Sequence, residues 1–552
     1  MGLKGNRRSG PTPPPPNPKG GLLRSSRAVL AATLITATAG LAACTAGSTA
    51  VPPGRDAAST SQSRTPVVAL HTSPASLDFT RTAGAAIPQA MMDNVYETLV
   101  RIDAQGKPIP LLATGWEVSP DRTTYTFHLR EGVRFSNGTE FNAETAKFSL
   151  DRVRSDAWTN GLKKQMAVIS STEATEPQTL TVRLQRPSNS WLWSLGTFVG
   201  AMMTPDGVAP EQLTKHPVGT GPYTVDFFAP NKRINLQARP EYWGPKPRNS
   251  AAVLTYFPDS VSSANALMAG DVDVIYGLQA PELMDSLRRR GSVDIQVGDT
   301  TGEVLLSLNN RRAPFNDPRV RQAIMYAIDR RAVIDTAWNG LGTDTGGSPA
   351  APTDPWYEPS HRYPFDPQKA RQLLREAGIN QTNNHVVFSV PSLVYATNAA
   401  EIVGSQLRDV GLDVSIESTE FPAVWTSKVL AQHNYDMSLV MHAEPRDIPT
   451  LFGNPEYYIG FDSQQSRELL SAADSGTPED QVRQMRRAVD QIMAEAASDT
   501  LFSYPNIVVT SRGVTGVNPT VISGSLPVPG ISAERPHPGA GALPANEKAA
   551  AA

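Results

Sequence analysis

Cysteine is nearly missing from this chain: one occurs in 552 residues, at position 44. A lone thiol forms no intrachain disulfide, and zinc–thiolate clusters and paired-cysteine redox chemistry are excluded with it. A folded body of about 480 residues needs no such staples, because it buries ample apolar surface. Histidine is also scarce, with 8 scattered singly, so any site with several histidine ligands would have to be assembled from distant segments. Neither sign of charge dominates: 50 basic against 53 acidic residues leave a net charge of −3 and no dense basic patch for nucleic acid. Gly-x-Ser-x-Gly, His-Glu-x-x-His and Gly-x-x-x-x-Gly-Lys are all absent, so the expectation is a protein that is not an enzyme and has no metal site and no cofactor.

What the chain does have begins at its N-terminus. Lys4, Arg7, Arg8, Lys19, Arg24 and Arg27 precede a short apolar run over 28–39 containing Val29, Leu30, Leu34 and Ile35. That run is too short for the ~20 apolar residues of a spanning helix and reads as a cleaved signal segment. Leu41-Ala42-Ala43-Cys44 follows directly, the pattern of a lipoprotein cleavage box, with Cys44 as the lipidation site. Each buried acyl CH₂ contributes about 0.8 kcal/mol of anchoring, so several chains hold a protein on a membrane surface.

Residues 10–20 are Pro-rich, 45–65 are rich in Ser, Thr, Gly, Pro and Ala, and 536–552 end in alanines; all three read as unfolded. Between them strand and helix signals alternate. Tyr125, Phe127 and Leu129 share one face of a period-two strand. Asn142 caps a helix carrying Ala146, Phe148 and Leu150. Ala252–Tyr256 reads as a strand, Asp259 or Ser260 starts a helix that Gly270 ends, and Val272–Tyr276 reads as another strand. In the second half, Asp317-Pro318 and Asp366-Pro367 each supply an N-cap and a proline at the first helical position. A further helix over 399–410 stops at Gly411, and Leu412, Val414 and Ile416 alternate after it. The pattern is that of an α/β fold.

The wording of these segments resembles the family 5 extracellular solute-binding proteins of ABC importers, the group that includes dipeptide- and oligopeptide-binding proteins. The matching stretches include Asn94-Val95-Tyr96-Glu97-Thr98-Leu99, Gly115-Trp116-Glu117-Val118-Ser119-Pro120-Asp121, and Tyr125-Thr126-Phe127-His128-Leu129-Arg130-Glu131-Gly132-Val133. They continue through Pro217-Val218-Gly219-Thr220-Gly221-Pro222-Tyr223, Pro314-Phe315-Asn316-Asp317-Pro318-Arg319-Val320-Arg321-Gln322-Ala323 and Tyr435-Asp436-Met437. The resemblance covers about 66–520. It implies a two-lobed periplasmic-binding-protein-like fold with a ligand cleft: a first lobe over 66–305 with an inserted subdomain at about 110–215, a second lobe over 306–505, and a return to the first lobe over 506–535. It also implies a monomeric receptor on the extracytoplasmic face of the cell membrane, held by its lipid anchor, that binds a peptide or other small polar solute and passes it to ABC permease subunits. The rival expectation is a noncatalytic envelope lipoprotein of the same fold that regulates cell-wall glycolipid assembly through protein contacts.

Most of the shared motifs read as structural. The glycines of Gly219-Thr220-Gly221 are expected to supply turn geometry near the interlobe crossing, and Arg319, Arg321 and Asp329 to sit in solvated or interlobe salt bridges. The informative departure follows Tyr435-Asp436-Met437. Peptide-binding relatives carry an aspartate there that pairs with the peptide's α-ammonium, whereas this chain reads His442-Ala443-Glu444-Pro445-Arg446-Asp447. Glu444 or Asp447 is placed to meet a cation, Arg446 to neutralise one of them, and His442 to donate to an anionic or polar group. Among aromatics in loop-like contexts, Trp191, Trp193, Trp425, Tyr457 and Tyr458, Trp425 is the leading stacking candidate. Asn309 ends a predicted strand and could offer its amide to the ligand.

Overall fold

The computed structural model describes residues 64–82 and 84–533. Cys44, the signal segment 1–43, most of the 44–65 tether and the 536–552 tail lie outside the described residues. None of the described helices is long and apolar enough to cross a membrane.

Three large sheets organise the chain. A seven-stranded sheet has the order Val293–Gly298, Asn506–Ser511, Val274–Tyr276, Val67–Leu70, Ala251–Tyr256, Arg233–Ala238, Tyr223–Ala229. Its central Val67–Leu70 runs parallel to both neighbours, and its other pairings are antiparallel. An antiparallel four-stranded sheet, Ala113–Val118, Thr124–Leu129, Thr179–Leu184 and Ile169–Glu176, packs into the same core. There the period-two expectation is met: Tyr125, Phe127 and Leu129 are buried while His128 is exposed.

The third sheet, five-stranded, has the order Asp413–Thr419, His385–Pro391, Met437–His442, Glu303–Leu308, Ser498–Ser503. Its interior strand Glu303–Leu308 is buried throughout, as a strand covered on both faces must be. Val304, Leu306 and Leu308 enter one apolar cluster with the helices Pro318–Ala327 and Val394–Asp409. Leu305 enters another with Trp425, Tyr435 and Tyr458. Because side chains alternate along a strand, Glu303 and Ser307 share the Leu305 face. Antiparallel pairing of Glu303 with His442 and of Ser307 with Ser438 puts His442, Val440 and Ser438 on that face too.

The caps fall where the residue types place them. Asn142 forms a capping box for Ala143–Arg154, and Asp259, Asp317 and Asp366 accept from the first turns of their helices. Gly270 ends the helix Ser260–Ala269 at φ +80, a conformation open to glycine at no steric cost. Arg321 is a departure. It is 6% exposed and donates to the carbonyls of Phe315, Glu495 and Ala496, so it clamps backbone within its own lobe instead of forming a salt bridge. The Gly219–Gly221 segment also departs. It lies against Asn94 and Val95 in the first-lobe core, and neither glycine has a positive φ. A Cβ on Gly219 would stand 1.9 Å from the Val95 carbonyl oxygen, so close approach, not turn geometry, requires glycine.

Only two segments carry the chain between the seven- and five-stranded sheets: 299–302, outward from Gly298 to Glu303, and 504–505, back from Ser503 to Asn506. They are tied side by side. Thr300 Oγ1 donates to the Tyr504 carbonyl at 2.5 Å, and Tyr504 N donates to the Gly302 carbonyl at 2.9 Å. Beyond them the lobes meet where the helix Asn189–Ser194 abuts the helix Gln464–Ser475. There Asp474 accepts from Arg186, Ser188 and Ser190, and Asn189 donates to the Ala473 and Gly476 carbonyls.

Candidate functional site

Glu303 is the first residue after the outward crossing, and around it the fold gathers charge that it does not neutralise. Its side chain is buried, and its Oε1 has no hydrogen-bond partner among the described residues. His442 faces it across the strand pair, and the loop after His442 turns Asp447 back, so that Asp447 Oδ2 stands 3.7 Å from His442 Nδ1. That Oδ2 is buried and has no hydrogen-bond partner either. Asp354 and the exposed Glu444 complete the group. Four carboxyls therefore act on one another in one cluster, with one guanidinium, Arg446, acting on Asp354.

Burial, followed by the charges of Asp447, Asp354 and Glu444, drives the Glu303 carboxyl well above its ordinary value. Burial, then Glu444 and Asp354, does the same to Asp447. Asp354 is pushed up to about 6 by burial, with Arg446 pulling the other way. Burial lowers His442 against the pull of Glu444, so its imidazole is neutral near pH 7. Carboxyls in this condition favour a proton or another positive charge beside them.

Arg446 reaches out of this cluster. Its guanidinium lies 4.6 Å from the Trp193 ring centroid and 5.0 Å from that of Trp356, and Nη2 donates to the Gly106 carbonyl at 2.9 Å. Trp193 Nε1 donates to the same carbonyl at 3.1 Å. Gly106 and Trp193 precede the outward crossing, whereas Trp356 and Arg446 follow it, so the side chain bridges the lobes. Burial lowers the Arg446 pKa to about 10, with Asp354 opposing. Its backbone sits at φ +56, a left-handed conformation that persists in a non-glycine residue only where the surroundings fix it. A cavity of about 380 Å³ opens beside it, between Ser190 and Trp193 on one side and Pro449, Leu470 and Met485 on the other.

The structure thus brings together His442, Glu444, Arg446 and Asp447. It does not add Asn309, which lies beyond the far end of the Glu303–Leu308 strand, about 20 Å from Glu303 at ~3.4 Å per residue. The Asn309 amide donates to the His433 and Tyr435 carbonyls. Trp425 is 4% exposed and its Nε1 donates to Ser438 Oγ, so it packs behind the pocket against Tyr458 and its ring faces no open space. Trp191 is core beside Tyr125. Glu303 and Asp354, which belong to this cluster, and Trp356, which lines the adjoining cavity, are residues that sequence reasoning missed. The one available signal was a charged residue opening an otherwise apolar strand, Glu303-Val304-Leu305-Leu306.

Without a bound cation the protein is expected to lose stability as pH rises from 5 to 8. Glu303, Asp447 and Asp354 have raised folded pKa values, so between the unfolded value and the folded one the native state holds more protons than the unfolded chain. The stabilisation is full below about pH 4 and disappears as pH passes through the folded values, which for Asp354 is about 6. His442 acts oppositely, but only below its ordinary value of about 6.5. Denaturant midpoints at pH 5, 6.5 and 8 check this, and a midpoint that rises steadily over the range would contradict it.

The model of the bacterial extracellular solute-binding proteins, family 5 Middle, matches residues 107–445. The glutathione-binding protein GsiB of Shigella flexneri is 29% identical over 344 residues, which is 61% of this chain and 66% of that protein. The chain's match thus spans slightly under two thirds of that relative's length. Among solved structures, the Helicobacter pylori periplasmic binding protein DppA in complex with the peptide STSA superposes with a TM-score of 0.75 at 25% identity, covering 86% of this chain and 98% of that one. AgaA of A. tumefaciens R10, in complex with agropinic acid, gives 0.74 at 24% identity, covering 86% and 99%. The fold is therefore the two-lobed one of periplasmic binding proteins, and with a family match over more than half its length the chain belongs to the bacterial extracellular solute-binding proteins, family 5.

Proposed function

We propose that this protein is the lipid-anchored substrate-binding receptor of an ABC importer, a noncatalytic carrier that captures a peptide or related small polar solute between its lobes. The observation that carries the reading is the acidic cluster of Glu303, Asp354, Glu444 and Asp447 beside the outward crossing, with a cavity of about 380 Å³ next to its Arg446. A solute bearing a cationic group, such as a peptide's free amine, supplies the missing charge, and in a dry pocket that charge-assisted hydrogen bond is about twice as strong as a neutral one. The closed state gains population only if the ligand contacts both lobes. Arg446, already spanning from the pocket loop to Gly106 and Trp193, couples occupancy on one side to closure on the other. The peptide named with DppA and the glutathione named with GsiB support the peptide class. Acylation of Cys44 would keep the receptor beside its permease on the outer face of the membrane.

Calorimetry with a mixed library of di- to pentapeptides tests this. Binding with 1:1 stoichiometry that is lost when the peptide amines are acetylated is the expected result. Failure of every peptide, alongside a tight non-peptide ligand, would remove the peptide assignment.

A further inference from the structure

The donor set of the pocket goes beyond what one ammonium group calls for. We propose that His442, Glu444 and Asp447, with Glu303 on the neighbouring strand, form a binding site for a single divalent transition-metal ion of the zinc or nickel class, ligated by the first three.

Three observations carry this. First, one ligand atom each from His442, Glu444 and Asp447 lies within 4.8 Å of the others, a spread that modest side-chain rotation contracts to a coordination sphere. Second, two buried carboxylate oxygens, Asp447 Oδ2 in this group and Glu303 Oε1 on the strand residue paired with His442, have no hydrogen-bond partner among the described residues. Glu303 is 3% exposed as a residue and the Asp447 side chain 10%. Buried polar atoms in native folds are almost always satisfied, and here the two orphans belong to one electrostatically coupled group. Third, the imidazole is already oriented as a ligand. His442 Nε2 lies 2.8 Å from the Tyr458 hydroxyl, which lies 2.6 Å from Ser307 Oγ. With the Nε2 proton donated to Tyr458, Nδ1 keeps its lone pair and points it toward Asp447. A ligating histidine typically has such an outer partner, which fixes its tautomer and raises its basicity.

Charge and donor type then select the ion. A single ammonium leaves the carboxyls largely uncompensated, because Arg446, the one guanidinium acting on them among the described residues, faces Asp354. A divalent ion supplies two charges at once. A neutral imidazole among carboxylates suits zinc, nickel or cobalt, whereas calcium and magnesium prefer oxygen alone. The ion does not exclude the proposed solute, since a peptide amine is itself a metal donor; the metal site stands whether or not a peptide is the cargo.

The test uses the untagged full-length chain, dialysed against chelator and titrated with ZnCl₂ and with NiCl₂ by calorimetry, with bound metal counted by elemental analysis after equilibrium dialysis. One ion per chain is expected. His442→Ala and Asp447→Asn should each weaken binding by about 10- to 100-fold, while the near-ultraviolet circular dichroism of the metal-free variants stays that of the parent. Cobalt loading should give visible d–d bands in the parent that His442→Ala alters. No stoichiometric binding by the parent, full binding by both variants, or equal affinity for calcium would each overturn the proposal. Peptide titration of the metal-free chain, run separately, reports on the transport reading alone.

Discussion

Glu303→Gln is expected to weaken a cationic solute by about 3 kcal/mol, on the order of 10²-fold, and at the same time to raise the stability of the unliganded protein above pH 7. The two effects have one cause. Removing one partner of a buried, hydrogen-bonded charge pair typically costs 2–5 kcal/mol of binding. The same carboxylate, with no cation present, is a buried charge beside Asp447, Asp354 and Glu444, and its ionisation opposes folding. Glutamine keeps the shape and removes the charge. Calorimetry and denaturant melts at pH 7.5 on the same samples check both signs. A residue serving only the core would lower stability when altered and leave affinity alone, so a variant with reduced stability and unchanged affinity would count against the assignment. That a site residue destabilises the empty protein is the usual trade between stability and function.

The second large effect is expected at Asp499→Ala, in the edge strand Ser498–Ser503. Asp499 Oδ1 accepts from Arg330 Nε at 2.8 Å, and the side chains are 0% and 5% exposed. Arg330 also donates to the carbonyls of Tyr363 and Met325, so it remains in place when its counter-charge is removed. An uncompensated buried guanidinium costs about 3–5 kcal/mol, and the unfolding midpoint should fall accordingly. The double replacement Arg330→Met with Asp499→Leu should recover most of that loss, because an apolar pair of similar volume is often as stable as a buried ion pair. A single variant that melts with the parent would show that the pair contributes nothing net.

How far the sequence foretold this arrangement depended on the range of the interaction. Asn142, Asp259, Asp317 and Asp366 cap helices through contacts two or three residues away, and local spacing made each legible. The helix read as 399–410 begins five residues earlier, at Val394, because its N-terminus has no side-chain cap to announce it. The pocket loop was legible as a departure in residue type at 442–447. Its chemistry was not, because that depends on a partner 139 residues earlier in the chain, brought opposite His442 only by the Glu303–His442 strand register. Arg446 was read as a local neutraliser, whereas its guanidinium crosses to a carbonyl 340 residues away. Asn309 and Trp425 had the polar atoms expected of ligand contacts, and in the fold those atoms are satisfied by His433, Tyr435 and Ser438. A single histidine among carboxylates leaves no spacing signature in the sequence.

Capture of a solute at the Glu303–His442–Asp447 cluster is tested most directly by native mass spectrometry of the gently purified protein beside its Glu303→Gln/Asp447→Asn double variant. A co-purifying small molecule or ion is expected on the parent and is missing from a folded double variant. A parent that emerges empty, or a double variant that keeps the same adduct, would contradict it.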